Sequence, residues 1–418
     1  MKTTASVSAC NSTPPQRGKL AQFFIDAKPD DWRTLLAAFS SAYGIGLLAM
    51  LVLPFMIGST MSGLKLDESE AGLLGTAEFI AVMAGSLALA PFMGKIPRRT
   101  AAIIGAILAI GGNFASMFLG SFESLLMVRP IVGLGCGLTL AVGNATVASA
   151  ENSEKLAGQM SILCVTLAAI GMKVFAYVSK TWGYSGVYAA LALFMLALAG
   201  FIRWLPGHIK AEPQATPEHP HAHKGLLSKA SLLMLAVMFI FALRDTMMWA
   251  FAERVGLATG YETDELGLLF SLQAVIGIIG PLVASVIGSR LGLRWPVLLG
   301  ICLTGIVTFT ILHSSNAKLP YTIGVLGIGG TYFFTLSYLT ALAAELDIEG
   351  RVVAASGAFL VAGVATGPAL SGFLIVRGGF ALSSWVNLLM ALLALVLVSV
   401  PLASIERTSK RAGSPSIS

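Results

Sequence analysis

Twelve apolar runs, each about 19–26 residues long, occupy most of this 418-residue chain. They fall at 34–57, 70–93, 100–119, 122–147, 156–179, 184–205, 230–253, 265–288, 295–313, 320–343, 352–376 and 382–404. A helix rises about 1.5 Å per residue, so each run can cross roughly 30 Å of hydrocarbon. A lipid-exposed backbone must satisfy its own hydrogen bonds, and a helix does so within one segment. Barrel strands would be about ten residues long and would alternate in polarity. These runs are longer, continuous and rich in Leu, Ala and Gly. With 56% hydrophobic and only 11% charged residues, the chain could not cover a soluble surface. The expected fold is an all-α polytopic membrane protein with twelve transmembrane helices.

The runs are written twice. Gly72-Leu73-Leu74 returns as Gly267-Leu268-Leu269, and Gly85 as Gly280, at an offset of 195. Glu78 falls on Gln273, and Lys95 and Arg99 fall on Arg290 and Arg294. Gly133, Gly135 and Glu151 return at an offset of 194 as Gly327, Gly329 and Glu345. Internal symmetry of this kind in a membrane protein implies two pseudo-symmetric bundles around a midplane site. The expected organisation is a tail over 1–33, a six-helix bundle over 34–205, a linker over 206–229, a second bundle over 230–404 and a tail over 405–418. Residues 1–33 are polar, and no secretory leader is read there.

Basic residues set the orientation. About 19 of the 27 Lys and Arg fall on the side of the two tails and about five on the other. Both tails are therefore expected in the cytoplasm, and the protein in a bacterial inner membrane. The net charge of +6 reflects this asymmetry and gives no reason to expect a nucleic-acid partner. Cys10, Cys136, Cys164 and Cys302 form no CxxC pair, and the last three read as packing residues inside spans.

The linker holds four prolines and His208, His219, His221 and His223. His-rich tracts can bind metal. In a Pro-rich stretch without cysteine the preferred reading is a solvated linker, so no metal and no cofactor is expected.

Three motifs carry a family resemblance. After the second span stands Gly94-Lys95-Ile96-Pro97-Arg98-Arg99, and after the eighth Gly288-Ser289-Arg290-Leu291-Gly292-Leu293-Arg294. The fourth span contains Arg129-Pro130-Ile131-Val132-Gly133-Leu134-Gly135. The eleventh contains Gly363-Val364-Ala365-Thr366-Gly367-Pro368 and ends the pattern at Gly372. Together with two groups of six spans, these resemble the major facilitator superfamily over about 34–404. The resemblance implies alternating access between two bundles. It implies that Lys95, Arg98, Arg99, Arg290, Gly292 and Arg294 form conformational loops, although the family's Asp is absent from both copies. Gly363, Gly367, Pro368 and Gly372 are expected to pack helices closely. Many exporters of the superfamily carry that pattern in the fifth helix, where this chain reads Ile170-Gly171-Met172-Lys173.

Charge inside a span is costly, by about 2.5–3.5 kcal/mol on insertion scales, and marks functional sites. Glu78, Arg129, Lys173, Arg244 and Asp245 fall in the second, fourth, fifth and seventh spans, which the resemblance places near a central cavity. Their depths allow them to meet. Glu78 and Asp245 are the candidates for proton coupling, since a carboxylate near a cation can bind and release a proton as access alternates. Arg129, Lys173 and Arg244, with Asn144, Trp249 and Gln273, are the candidates for substrate binding. A structural ion pair between Glu78 and Arg129 is the competing reading. Glu253 and Arg254 read as solvated charges at the end of the seventh span.

The expected function is secondary active transport of a small organic, anionic solute coupled to protons or another cation, by a monomer in a lipid bilayer. Drug or metabolite efflux by proton antiport is the alternative, and a non-transporting receptor on the same fold is a third class. No phosphate-binding loop points to ATP drive. No mid-span His and no HExxH point to an enzyme.

Overall fold

A computed structural model describes residues 31–93, 95–205, 228–288, 290–314, 317–347 and 350–412, with side chains to 405. Residues 1–30, 206–227 with the four linker histidines, and 413–418 lie outside the described residues. Among those described, nine helices are long and apolar enough to span a membrane. Two of them, 52 and 55 residues long, are each two spans joined end to end. The first joint is Gly183 at φ 60°, ψ −154°, and the second is Gly378-Gly379, with Gly379 at φ 67°. A side chain would strain the backbone at these positive φ angles. Each glycine therefore ends one crossing and starts the return.

The twelve crossings are named in chain order. α1 is assembled from Trp32–Phe39, Ser40–Gly46, Leu48–Leu51 and Leu53–Leu64. α2 is Glu68–Leu89, α3 Arg98–Ser116 and α4 Phe122–Ala148. Ser153–Ala199 contains α5, up to 182, and α6, from 184. α7 is Lys229–Trp249, continued by Ala252–Ala258. α8 is Thr263–Ile276 with Ile279–Ile287, α9 Arg294–His313 and α10 Lys318–Leu346. Arg351–Ala412 contains α11, up to 377, and α12, from 380.

Local chemistry explains the ends. Asp67 and Glu70 form a reciprocal capping box at the start of α2, and Glu262 and Glu265 form its counterpart at the start of α8, 195 residues later. Ser121 and Ser228 cap α4 and α7. α1 departs from the continuous helix expected over 34–57: Ser40–Gly46 is a wider π turn, and Leu47 and Val52 leave helical geometry. A side chain on Gly46 would meet the backbone of Leu140 in α4, so the π turn packs closely against that helix.

Small residues set the packing. A Cβ on Gly133 or Gly137 would collide with backbone carbonyls of α2, and one on Gly85 with the Leu134 carbonyl of α4. Gly363 and Gly367 of α11 press on the α7 backbone in their own half. Gly372 presses on Glu68 of α2, in the other half, and Gly72 of α2 presses on the Pro368 carbonyl. Next to that proline the Ala369 N–H donates to Thr76 Oγ1 at 3.0 Å, also across the halves. α11 is therefore pinned on two sides, by α7 and by α2.

The end of the molecule holding Trp32, Leu205 and Ser228 is termed the tail side. The halves are joined on the opposite, far side. α2 crosses α11 near its start, and α5 crosses α8, where the Ser271 hydroxyl donates to the Ala169 carbonyl at 2.5 Å. One hydrophobic core runs through the first half and continues into the far-side part of the second, through Met248, Phe251, Phe270, Leu312 and Tyr321. Toward the tail side the cores are separate. One gathers Met234, Val297, Tyr338 and Val398, and the other Leu35, Phe39, Leu156 and Met160. The chain is thus in a conformation closed on the far side and parted on the tail side.

Candidate functional site

Glu78 and Arg129 meet. Arg129 Nη2 lies 2.5 Å from Glu78 Oε2, and Nε donates to the same oxygen at 3.1 Å. Both residues are fully buried. Arg129 Nη1 donates to Asn113 Oδ1 at 3.0 Å, and Asn113 in turn donates to the Ala109 carbonyl at 2.9 Å. The guanidinium lies 5.0 Å from the ring centre of Tyr188, whose hydroxyl is 3.1 Å from Thr60 Oγ1. Met56 Sδ approaches Nη2 at 3.7 Å. Five helices of the first half, α1, α2, α3, α4 and α6, therefore converge on one cation. A narrow void beside it is lined by Met56, Thr60, Leu74, Gly75, Arg129 and Tyr188. The second carboxylate oxygen, Glu78 Oε1, is buried with no partner among the described residues. The physical picture is a buried pair with most of the cation's hydrogen bonds made and one carboxylate lone-pair face in reserve.

The second half holds a different arrangement. Arg244 of α7 is buried and donates from Nη1 to Thr308 Oγ1 at 2.7 Å and from Nη2 to Thr304 Oγ1 at 2.8 Å. Thr308 donates to Asn387 Oδ1 at 2.8 Å, and Asn387 Nδ2 closes the ring on the Arg244 carbonyl at 2.7 Å. Thr308 and Asn113 are 195 residues apart. The same position of the repeat thus receives a guanidinium in each half, from α4 in one and from α7 in the other.

The expected cluster of buried charges does not close into one site. Arg244 points to α9 and α12 within its own half, and Arg129 is enclosed within the other half. The guanidiniums, placed by sequence among the substrate contacts, face helix cores instead. Lys173 is exposed, and Asp245, next to Arg244 in sequence, is half-buried. Asn144 is exposed. Gln273 is half-buried, with its amide nitrogen against Gly329 of α10. Trp249 is at the seam between the halves. Its indole N–H donates to the Met50 carbonyl of α1 at 3.2 Å, and its ring centre lies 5.4 Å from that of Phe270, itself 5.5 Å from Phe55. Phe55, Trp249 and Phe270, from α1, α7 and α8, form an aromatic plug on the far side of the midplane.

Charged pairs lie beyond the plug. Lys180 at the end of α5 reaches Asp264 at 2.5 Å and Glu262 at 3.4 Å across the halves, and Arg254 donates to Ser62 Oγ at 3.0 Å. Glu253 corrects the sequence reading: it is 3% exposed rather than solvated, and it packs against Gly58 of α1. Of the loop residues, Arg98 is buried and donates from Nη1 to the Ala145 carbonyl at 3.1 Å and to Ser149 Oγ at 2.7 Å. A cation there complements the negative end of α4. Lys95, Arg99, Arg290, Gly292 and Arg294 are exposed.

A family model, the Major Facilitator Superfamily, matches residues 34–253 and 233–416. The chain belongs to that superfamily. Its similarity to curated proteins is distant. It is 25% identical over 178 residues to a putative niacin/nicotinamide transporter, NiaP, of Bacillus subtilis (strain 168), covering 42% of this chain and 43% of that one. It is 26% identical over 198 residues to the 4-hydroxybenzoate transporter PcaK of Pseudomonas putida, covering 44% and 43%. The matched stretch therefore spans less than half the length of these relatives. Among solved structures, a mutant form of the nucleoside transporter NupG superposes with a TM-score of 0.71 at 15% identity over 89% of this chain and 99% of that one. A D-xylose-proton symporter superposes with a TM-score of 0.69 at 16% identity over 90% and 97%. These last two show the fold alone: two six-helix bundles.

Proposed function

We propose that this chain is a proton-coupled secondary transporter that moves a small organic anion by alternating access. The observation that carries this reading is the placement of contacts between the halves. Helix crossings, aromatic plug and ion pairs join them on the far side, while their cores are separate toward the tail side. A rocking motion of 34–205 against 230–404 would break these contacts and form others on the tail side. The positive-inside asymmetry supports a cytoplasmic tail side in a bacterial inner membrane, with the monomer as the working unit.

Glu78 and Asp245 are proposed to carry protons. Glu78 suits this because its partner, Arg129, also holds Asn113 and can keep that bond when Glu78 is neutral. Arg129 and Arg244 then serve to hold helices and balance charge. Lys173, Asn144, Gln273 and the face of Trp249 remain the candidates for the solute. The names of two relatives, for niacin/nicotinamide and for 4-hydroxybenzoate, support a small aromatic solute.

The test is transport by the purified full chain in proteoliposomes, with radiolabelled niacin and 4-hydroxybenzoate as probes. Counterflow without a gradient and accumulation driven by an acid exterior are expected. Glu78→Gln and Asp245→Asn should lose accumulation while keeping counterflow. Accumulation unchanged in both variants would remove the carrier assignment. Acid-driven extrusion of the probe would favour the efflux alternative.

A further inference from the structure

Glu253 is the buried ionisable group that the transport scheme leaves without a task. It lies in Ala252–Ala258, the far-side continuation of α7, and its Oε2 has no hydrogen-bond partner among the described residues. It faces Gly58 of α1 in the opposite half, where a Cβ would collide with that oxygen. The two positions are 195 residues apart, the offset of the repeat. Glu253 therefore touches its own counterpart, as a residue beside the axis relating the two halves must.

The charged and titratable groups around it are engaged elsewhere. Arg254 reaches Ser62 at 3.0 Å. The Tyr321 hydroxyl of α10 donates to the Ala252 carbonyl at 2.6 Å. In the first turn of α8, Glu262 and Asp264 pair with Lys180, and Glu265 lies 3.7 Å from Lys318. His313, at the end of α9, is 3.2 Å from the Ser384 hydroxyl. Leu53–Leu64 of α1 brings no ionisable side chain to the seam.

An ionised carboxylate is costly in a dry seam without a partner, and the cost disappears once water reaches it. On the alternating-access reading, parting of the halves on the far side would bring water to Glu253. We propose that Glu253 is a proton-operated switch of the far-side gate, neutral while the gate is shut and ionised when it opens. This rests on the alternating-access reading above. In the step itself, the carboxylate takes one proton from far-side water to become the acid, and on reopening the O–H bond breaks and the proton returns to the same water. Both exchanges occur on one side, so Glu253 moves no proton across the membrane. It acts by positioning α7 against α1, a task separate from that of Glu78 and Asp245. Acid should favour the conformation seen here, and base should open the far side.

The experiment uses the full chain in lipid nanodiscs, with Cys10, Cys136, Cys164 and Cys302 replaced. Nitroxide labels are placed at Lys65→Cys and Ala258→Cys, one on each half at the far side. Pulsed electron-spin distances are recorded across a pH series. The distance should lengthen as pH rises. Glu253→Gln should lose this shift and stay short at every pH, and Glu253→Asp should retain it. A wild-type shift preserved in Glu253→Gln overturns the proposal and leaves alternating access standing. Loss of the shift in Glu253→Asp also overturns it, since the carboxylate would then not be what matters. Labels that separate under no condition in the parent chain overturn both the proposal and the alternating-access reading.

Discussion

At the scale of single residues, Arg129 and Arg244 make stability predictions of different size. Arg129 neutralises Glu78, so Arg129→Gln leaves a buried carboxylate without its cation. Such a loss typically costs about 3–5 kcal/mol, whereas removing both partners can be nearly neutral. The expected result is a large fall in thermal stability for Arg129→Gln and substantial recovery in Glu78→Gln/Arg129→Gln, read by thermal unfolding in detergent. A double variant no better than the single one would contradict the pairing. Arg244 is held by two threonine hydroxyls, so Arg244→Met strands no carboxylate in a bond of its own. Its expected cost is smaller, about 1–3 kcal/mol for the polar groups left behind. Part of this was legible in the sequence: a charge in mid-span announces a partner, and Glu78 and Arg129 were readable at matching depth. Asn113, Tyr188 and Thr60 were not, because a lone polar or aromatic residue in an apolar run looks like packing. The repeat held an unused signal, since Asn113 and Thr308 are related by the same offset as the glycines.

At the scale of elements, the molecule is organised by where helices can touch. Gly72 and Gly372 let α2 and α11 approach across the halves on the far side. Gly72→Val is expected to wedge that crossing open, shifting the chain away from the far-side-closed state without disturbing either bundle. Labelling of a far-side cysteine by a membrane-impermeant maleimide should rise severalfold, and unchanged labelling would show that the crossing is not a gate. Lys180→Ala removes an exposed pair and is expected to give a smaller shift in the same direction, diminishing as salt rises. Helix number and the glycine packing pattern could be read from the runs and their repeat. The broken α1 could not: Ser40–Gly46 is apolar enough to read as ordinary helix, and its contact with α4 appears only in the fold. The burial of Glu253 was hidden for a similar reason. At the end of a span a charge reads as solvated, and only the arrival of α1 from the other half encloses it.

At the scale of the whole molecule, a symmetric frame carries asymmetric chemistry. The capping boxes, the glycines and the α3/α9 polar positions repeat. Glu78 has Gln273 as its counterpart, the arginines enter from non-equivalent helices, and Glu253 faces Gly58. The first half thus holds a closed ion pair, and the second half holds the carboxylate at the seam. The central claim is that the two halves rock about the midplane, so that one side opens as the other closes. The most direct measurement follows two label pairs together in nanodiscs: Lys65→Cys with Ala258→Cys on the far side, and Glu154→Cys with Glu345→Cys on the tail side. On passing from the parent chain to Gly72→Val, the far-side distance is expected to lengthen and the tail-side distance to shorten. Distances that stay fixed, or that lengthen together, would contradict alternating access.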